Sequence, residues 1–193
     1  MNTIEEISEF LNPEKSVLVL WDIQKMLVDS IFNKDEFLKN VKLIAPAARA
    51  NGIPVVSTKI TPLPDRFQSA GRKFMMKKRA GWGTQPPEAY NFALTPEPSD
   101  IILNKNTASI FVGTNFELMM RNAGISTLVF TGIATEMGVE SSVREATNRG
   151  FFPVIVTDAV SSSNKEGHTR SLENLKTMMP LVSTDELVAF WKK

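Results

Sequence analysis

Short apolar runs alternate along this chain with longer segments of helical period. Val17-Leu-Val-Leu-Trp21 is apolar at every position and closes on Asp22, the pattern of a strand buried on both faces of a sheet. Residues 34–50 place Phe37, Val41, Ile44 and Ala48 on one face, which predicts a helix stopped by Asn51-Gly52. Pro46 lies inside it and predicts a kink or break. Pro54-Val-Val-Ser-Thr58 and Asp100-Ile-Ile-Leu-Asn-Lys105 read as the second and third strands, with a helix over 114–123 capped by Thr114 and stopped by Gly124. Leu128-Val-Phe130 is a fourth strand. After Gly132, Thr135 stands at a helix N-cap position, and Val139, Val143 and Ala146 fall on one face of the helix that follows. Glu140–Arg144 and Glu145–Arg149 are i,i+4 pairs on its outer side. Phe152-Pro-Val-Ile-Val-Thr157 predicts a fifth strand. Ser163 and Glu166 have capping-box spacing for a helix reaching about Met178. Pro180-Leu-Val182 is a sixth strand, followed by a terminal helix capped by Thr184. At the other end, residues 3–11 read as a short helix that Pro13 ends.

Strands alternating with helices predict an α/β fold, a parallel sheet with helices on both faces, over a single domain of residues 1–193. In such a sheet the turns after the strands lie at the carboxyl ends, where ligands bind. Residues 60–98 break the alternation. Pro62, Pro64, Pro86, Pro87, Pro96 and Pro98 fall there with Gly71, Gly81 and Gly83, which predicts a long loop with short helical pieces over one end of the sheet. Phe67, Phe74, Trp82, Tyr90 and Phe92 favour an ordered cover.

Composition narrows the function classes. The formal net charge is +1, so no global field points to nucleic acid or a membrane surface. No segment reaches the ~20 apolar residues of a membrane helix. The first residues, with Glu5, Glu6 and Glu9, lack a signal peptide's basic start and apolar core. The chain has no Cys. That excludes disulfides and a thiol nucleophile, and it fits a reducing cytoplasm. With a single His as well, no zinc site, other metal site or cofactor is expected. The expected partner is a small-molecule substrate.

Asp22 and Lys105 each close an apolar strand. A carboxylate there is partly desolvated and moves toward acid/base range; the plainer alternatives are a loop-capping Asp and a snorkelling Lys. The helix start after Thr135 offers N–H groups to an oxyanion or carboxylate. Gly138 near that start costs about 1 kcal/mol relative to Ala, so something should offset it. Arg66, Arg72, Lys73, Lys77, Lys78 and Arg79 make a basic segment, read as a solvated or subunit-facing loop or as a lid binding a carboxylated substrate. Trp82 is a candidate pocket wall. His168, at the start of a late helix, is read as a surface residue. Ser141 and Ser142 have no nearby His to make either a nucleophile.

Three stretches carry a resemblance. Asp22-Ile-Gln24, Lys105-Asn-Thr-Ala-Ser-Ile-Phe-Val-Gly-Thr114 and Gly132-Ile-Ala-Thr-Glu-Met-Gly-Val139 resemble, in order, motifs of the isochorismatase-like hydrolases. The likeness runs over roughly residues 15–185. It implies a three-layer, doubly wound sheet of six parallel strands in order 3-2-1-4-5-6, and a protein that associates as a homo-oligomer; in the sequence itself Phe190, Trp191 and the 60–98 loop are candidate contacts. It implies that Asp22 is the acid/base and Lys105 its partner, with Gln24 beside the substrate. It also implies a cis peptide at Ile133–Ala134, with Ala134 and Gly138 supplying backbone donors. The family's amidase branch has a nucleophilic Cys where this chain has Gly138. Its isochorismatase branch has Gly there and hydrolyses a vinyl ether: an acid protonates the vinyl carbon and water attacks the cation. Zinc-dependent nicotinamidases of the family use two His that this chain lacks. Three readings stay open: a hydrolase without a cysteine, a non-catalytic binding member, and an amidase inactivated by replacement of Cys with Gly.

Overall fold

The structure is a computed structural model that describes residues 3–61, 63–78 and 85–192. Six parallel strands form one sheet: β1 Ser16–Trp21, β2 Val55–Ile60, β3 Ile101–Lys105, β4 Thr127–Ile133, β5 Phe152–Ser161 and β6 Leu181–Val182. Their order is β3-β2-β1-β4-β5-β6. β1 and β4 are therefore central neighbours, and the strand order reverses between them, where an open α/β sheet leaves a crevice.

Side chains alternate across the sheet. Leu18 and Leu20 of β1 join Val129 and Ile133 of β4 in one core; Val17, Val19 and Trp21 join Leu128 and Phe130 in the other. The helices, in chain order, are α1 Thr3–Glu6, α2 Lys25–Val28, α3 Lys34–Ala50, α4 Ala70–Lys78, α5 Phe116–Asn122, α6 Glu140–Asn148, α7 Lys165–Lys176 and α8 Thr184–Trp191. α3 and α8 cover the first core, α5 and α6 the second. Both faces are covered, which is why the central strands β1 and β4 are buried at every position rather than at alternate ones.

Several expectations are corrected. The first helix stops at Glu6, and a separate 3-10 turn follows over Ser8–Phe10. α3 runs through Pro46 as one helix, so Pro46 does not break it. Pro46 and Lys42, whose carbonyl loses its amide partner, both lie on the exposed side, where water can serve as donor. β5 is ten residues long and reaches Ser161. Two steps along β4, from 130 to 132, face five along β5, from 155 to 160. This odd insertion exchanges the faces, so Val154 and Val156 share a core with Ala159 rather than with Val160. The caps of α7 and α8 are Asn164 and Ser183, the first one residue after its expected position and the second one residue before; Ser183 makes a full capping box with Glu186. Trp191 is buried in the first core, and Phe190 packs against it; neither is a free surface anchor. Among the described residues no helix is long and apolar enough to cross a membrane.

Candidate functional site

The carboxyl ends of β1, β3 and β4 converge on a cavity of about 380 Å³. Asp22 follows β1 directly and takes a left-handed backbone conformation, with φ of 48°. Its amide donates to Thr58 Oγ1 at 2.9 Å, and the Thr58 hydroxyl donates to Asp22 Oδ1 at 2.6 Å. Lys105, the last residue of β3, donates from Nζ to Asp22 Oδ2 at 2.5 Å and to the Thr107 carbonyl at 3.3 Å. The Lys105 and Asp22 side chains are 2% and 3% exposed. β2 lies between their strands, and Thr58 on β2 bridges the gap in the same carboxylate's hydrogen bonding.

Burial dominates the titration of both. It raises Asp22 above the ordinary carboxylate value, opposed by the charge and hydrogen bond of Lys105, by Thr58 and by the charge of Arg72. It lowers Lys105, opposed by Asp22 and reinforced by Arg72. Each shift favours the neutral form, so the proton shared by the pair is easier to move than in an exposed ion pair.

The opposite wall is formed by Ile133, Ala134, Met137 and Gly138, at the end of β4 and in the turn after it. The Ile133–Ala134 peptide is cis, and both residues line the cavity with Gly138. The turn after β4 is a π-helical turn over Thr135–Val139 that leads into α6. The Ala134 carbonyl accepts from the amides of Met137 and Val139. Thr135 does not cap the helix with its side chain: its hydroxyl donates to the Ser161 carbonyl at 3.2 Å and lies 2.8 Å from His168 Nδ1. His168 is thus half-buried behind this turn, with its ring edge against Phe32, and burial lowers its pKa against the charge of Glu136. The surface expectation for His168 is corrected. Ser142 is buried and structural, donating to the Gly138 carbonyl at 2.7 Å and accepting from the Ile110 amide at 3.1 Å. It ties the 106–114 loop to α6.

Gly138 has no room for a side chain. A Cβ built there would fall 2.1 Å from Trp21 Nε1. Trp21 is 1% exposed, and the Lys105 ammonium sits 4.0 Å from its ring centroid, a cation–π distance. Gly132 makes room for the same residue in another way. Its φ is 111°, and a Cβ there would fall 2.1 Å from the Trp21 carbonyl oxygen.

The structure thus gathers Asp22, Lys105, Ile133, Ala134 and Gly138 around one cavity. Gln24 is not brought there. It is fully buried, accepts from the Ile60 amide at 2.9 Å and donates to the Tyr90 carbonyl at 2.6 Å, so it straps the 60–92 segment to the end of β1. Arg79 and Trp82 lie outside the described residues. Sequence reasoning missed Trp21 and Thr58, and it did not separate Arg72 from the rest of the basic segment. Arg72, from α4, lines the cavity with Met75, while Arg66, Lys77 and Lys78 of the same basic segment are exposed. Among the described residues no three His, Asp or Glu side chains gather closely enough to hold a metal ion.

Comparison with known proteins bears on the fold and the family. The family model described as Isochorismatase domain matches residues 16–186. The chain is 31% identical over 173 residues to the uncharacterised isochorismatase family protein YecD of Escherichia coli O157:H7, covering 86% of this chain and 89% of that protein. It is 41% identical over 92 residues to ureidoacrylate amidohydrolase RutB of Methylobacterium radiotolerans; that match covers 47% of this chain and spans only 36% of the relative's length. Among solved structures, an isochorismatase family protein of Burkholderia thailandensis superposes with a TM-score of 0.77 at 27% identity, covering 93% of this chain and 97% of that one. A cysteine hydrolase of Pseudomonas syringae pv. phaseolicola superposes with a TM-score of 0.84 over 94% of each chain at 17% identity, a likeness of fold.

Proposed function

Because the chain belongs to the isochorismatase domain family, we propose that it is a hydrolase of a small molecule in which Asp22 and Lys105 manage the proton and no side chain attacks the substrate. The observation that carries this reading is the buried Asp22–Lys105 pair opening on a cavity whose far wall, at Gly138, has no side chain. Amide hydrolysis by a covalent route needs a nucleophile to form the acyl intermediate. The chain has no Cys, and Ser142 is held by Gly138 and Ile110.

A vinyl ether suits the groups that remain. Protonated Asp22, favoured by burial, gives its proton to the terminal vinyl carbon and leaves an oxygen-stabilised cation. Water adds to the cationic carbon and returns a proton to the Asp22 carboxylate. The resulting hemiketal then breaks its C–O bond to release a ketone and an alcohol. Lys105 stabilises the carboxylate that forms when the proton leaves, a group whose charge appears during the reaction. The backbone at Ala134 and Gly138 faces the substrate across the cavity.

An activity panel tests this reading: isochorismate, other vinyl ethers, simple amides, ureido compounds and esters, each against the protein and its Lys105→Ala variant. The expected result is vinyl-ether turnover that falls by ~10²-fold or more in the variant, the scale of a lost acid–base partner. Amide turnover at an equal rate in both proteins would overturn it. Ligand binding without turnover anywhere in the panel would favour a binding protein.

A further inference from the structure

We infer that Trp21 determines the type of reaction this site can perform: its indole occupies the volume in which a nucleophilic side chain at position 138 would stand. This rests on the acid–base reading of the site and goes beyond it, because it concerns the residue that excludes covalent catalysis rather than those that move the proton.

Three observations converge on this one ring. A Cβ at Gly138 would fall 2.1 Å from Nε1, 2.4 Å from Cε2 and 2.6 Å from Cζ2 of Trp21. The overlap is therefore with the body of the indole and not with one movable tip. The ring cannot retreat easily, since Trp21 is buried among Val19, Phe130 and Val139 and its backbone oxygen is pressed against Gly132. Its face also carries the Lys105 ammonium at 4.0 Å, so turning the ring away would unseat the cation that partners Asp22. Trp21 and Gly138 are in this sense one unit. A large residue at position 21 requires glycine at 138, and a side chain at 138 requires a smaller residue at 21.

The exchange has a chemical meaning. An indole N–H can donate a hydrogen bond, but it neither attacks a carbonyl nor takes up a proton. The atom standing where a nucleophile would begin can hold an oxygen of substrate or water and can do nothing covalent. The site is therefore not an amidase that lacks one sulfur atom. Gly138→Cys alone would place a thiol against the ring, whereas Trp21→Ile with Gly138→Cys would give it the space. Isoleucine is smaller, apolar and β-branched, which suits a buried strand position.

The absence of Cys elsewhere makes the test direct, because an introduced thiol is the only one in the protein. Four proteins form a cycle: the parent, Trp21→Ile, Gly138→Cys and the double variant. Denaturant midpoints are measured for all four, and the pH dependence of iodoacetamide alkylation for the two that carry the thiol. The expected result is that Gly138→Cys lowers the midpoint much more in the parent than in the Trp21→Ile background. In the double variant, the start of the helical segment and Lys105 should depress the thiol's pKa well below the ordinary ~8.5, giving on the order of ten- to a hundredfold more thiolate at pH 6 than a free thiol. Gly138→Cys alone should either fail to fold or carry an ordinary or sluggish thiol. If it fails to fold, the double variant decides: folding with a depressed thiol supports the inference, and failure or an ordinary thiol overturns it. A Gly138→Cys protein as stable as the parent, with the same reactive thiol as the double variant, would also overturn it. Neither readout depends on turnover, so this inference and the proposed hydrolysis can fail separately.

Discussion

The two walls of the cavity are built by opposite means. On the wall made by β1, β2 and β3, Asp22, Thr58 and Lys105 are charged or polar, and their hydrogen bonds run to one another. On the wall made by the turn after β4, the lining residues Ile133, Ala134, Met137 and Gly138 carry no titratable side chain, and a neighbouring indole fills the space beside Gly138. In the proposed reading the first wall holds and moves a proton, while the second binds an oxygen and leaves no space for an attacking side chain. Acid–base and nucleophilic chemistry would then be separable within one fold, because different strands carry the two walls.

Breaking the first wall should have the largest effect. Lys105→Met leaves the Asp22 carboxylate buried without its cation, and loss of one partner of a buried pair costs about 3–5 kcal/mol. Asp22→Asn combined with Lys105→Met removes both charges and should recover much of that loss. Chemical denaturation of the two variants beside the parent checks this; equal midpoints for single and double variants would mean that the pair is not coupled.

On the second wall, Gly132→Ala should cost more than a usual glycine substitution. The φ of 111° disfavours any Cβ, and the atom it would meet is the Trp21 carbonyl oxygen, which cannot rotate away. A loss of about 3 kcal/mol or more is expected, on the scale of overpacking and backbone strain together. Gly71→Ala, with nothing near its Cβ, is the control; in the helix α4 it should be neutral or slightly stabilising. Thermal or chemical melts of the two variants read the difference.

The pH profile sharpens the comparison further. If Asp22 works as the acid, activity falls as pH rises through its folded pKa, which burial places above 3.8. Lys105 lowers that pKa. Residual activity in Lys105→Ala should therefore persist to higher pH than in the parent, although the maximum rate drops. A limb that moves to lower pH would assign the titration to another group. The smallest expected effect is that of Arg72→Gln. It should leave stability within about 0.5–1 kcal/mol and move the same limb slightly upward, since Arg72 also lowers Asp22. KM should rise for anionic substrates more than for neutral ones.

The sequence made the first wall legible and left most of the second hidden. Asp22 ends an apolar run and Lys105 ends the third strand, and a charge closing a strand of such a fold marks the carboxyl edge of the parallel sheet. The strand order, which the family resemblance implied, then put them together. Trp21 was not legible as a site residue because, in β1, it reads as one more apolar position of a doubly buried strand. Its signal lay elsewhere: Gly138 is a glycine near a helix start whose cost something should offset, and a bulky neighbour supplies the offset. Arg72 was hidden in a basic run whose other members are mostly exposed. Gln24 matched a motif, yet its amide is consumed by Ile60 and Tyr90, contacts between segments far apart in sequence. His168 looked exposed because nothing near it in sequence predicts that the turn at Thr135 would pack over its ring.

The central claim is that Asp22 gives a proton to carbon and water, not the protein, completes the hydrolysis. Turnover of a vinyl ether such as isochorismate in deuterated water, followed by mass analysis of both product and protein, tests it most directly. The expected result is one solvent-derived deuterium at the former vinyl carbon, a protein mass unchanged in mid-turnover, and loss of the reaction in Asp22→Asn. Turnover without that deuterium, a covalent adduct on the protein, or an unimpaired Asp22→Asn enzyme would contradict it.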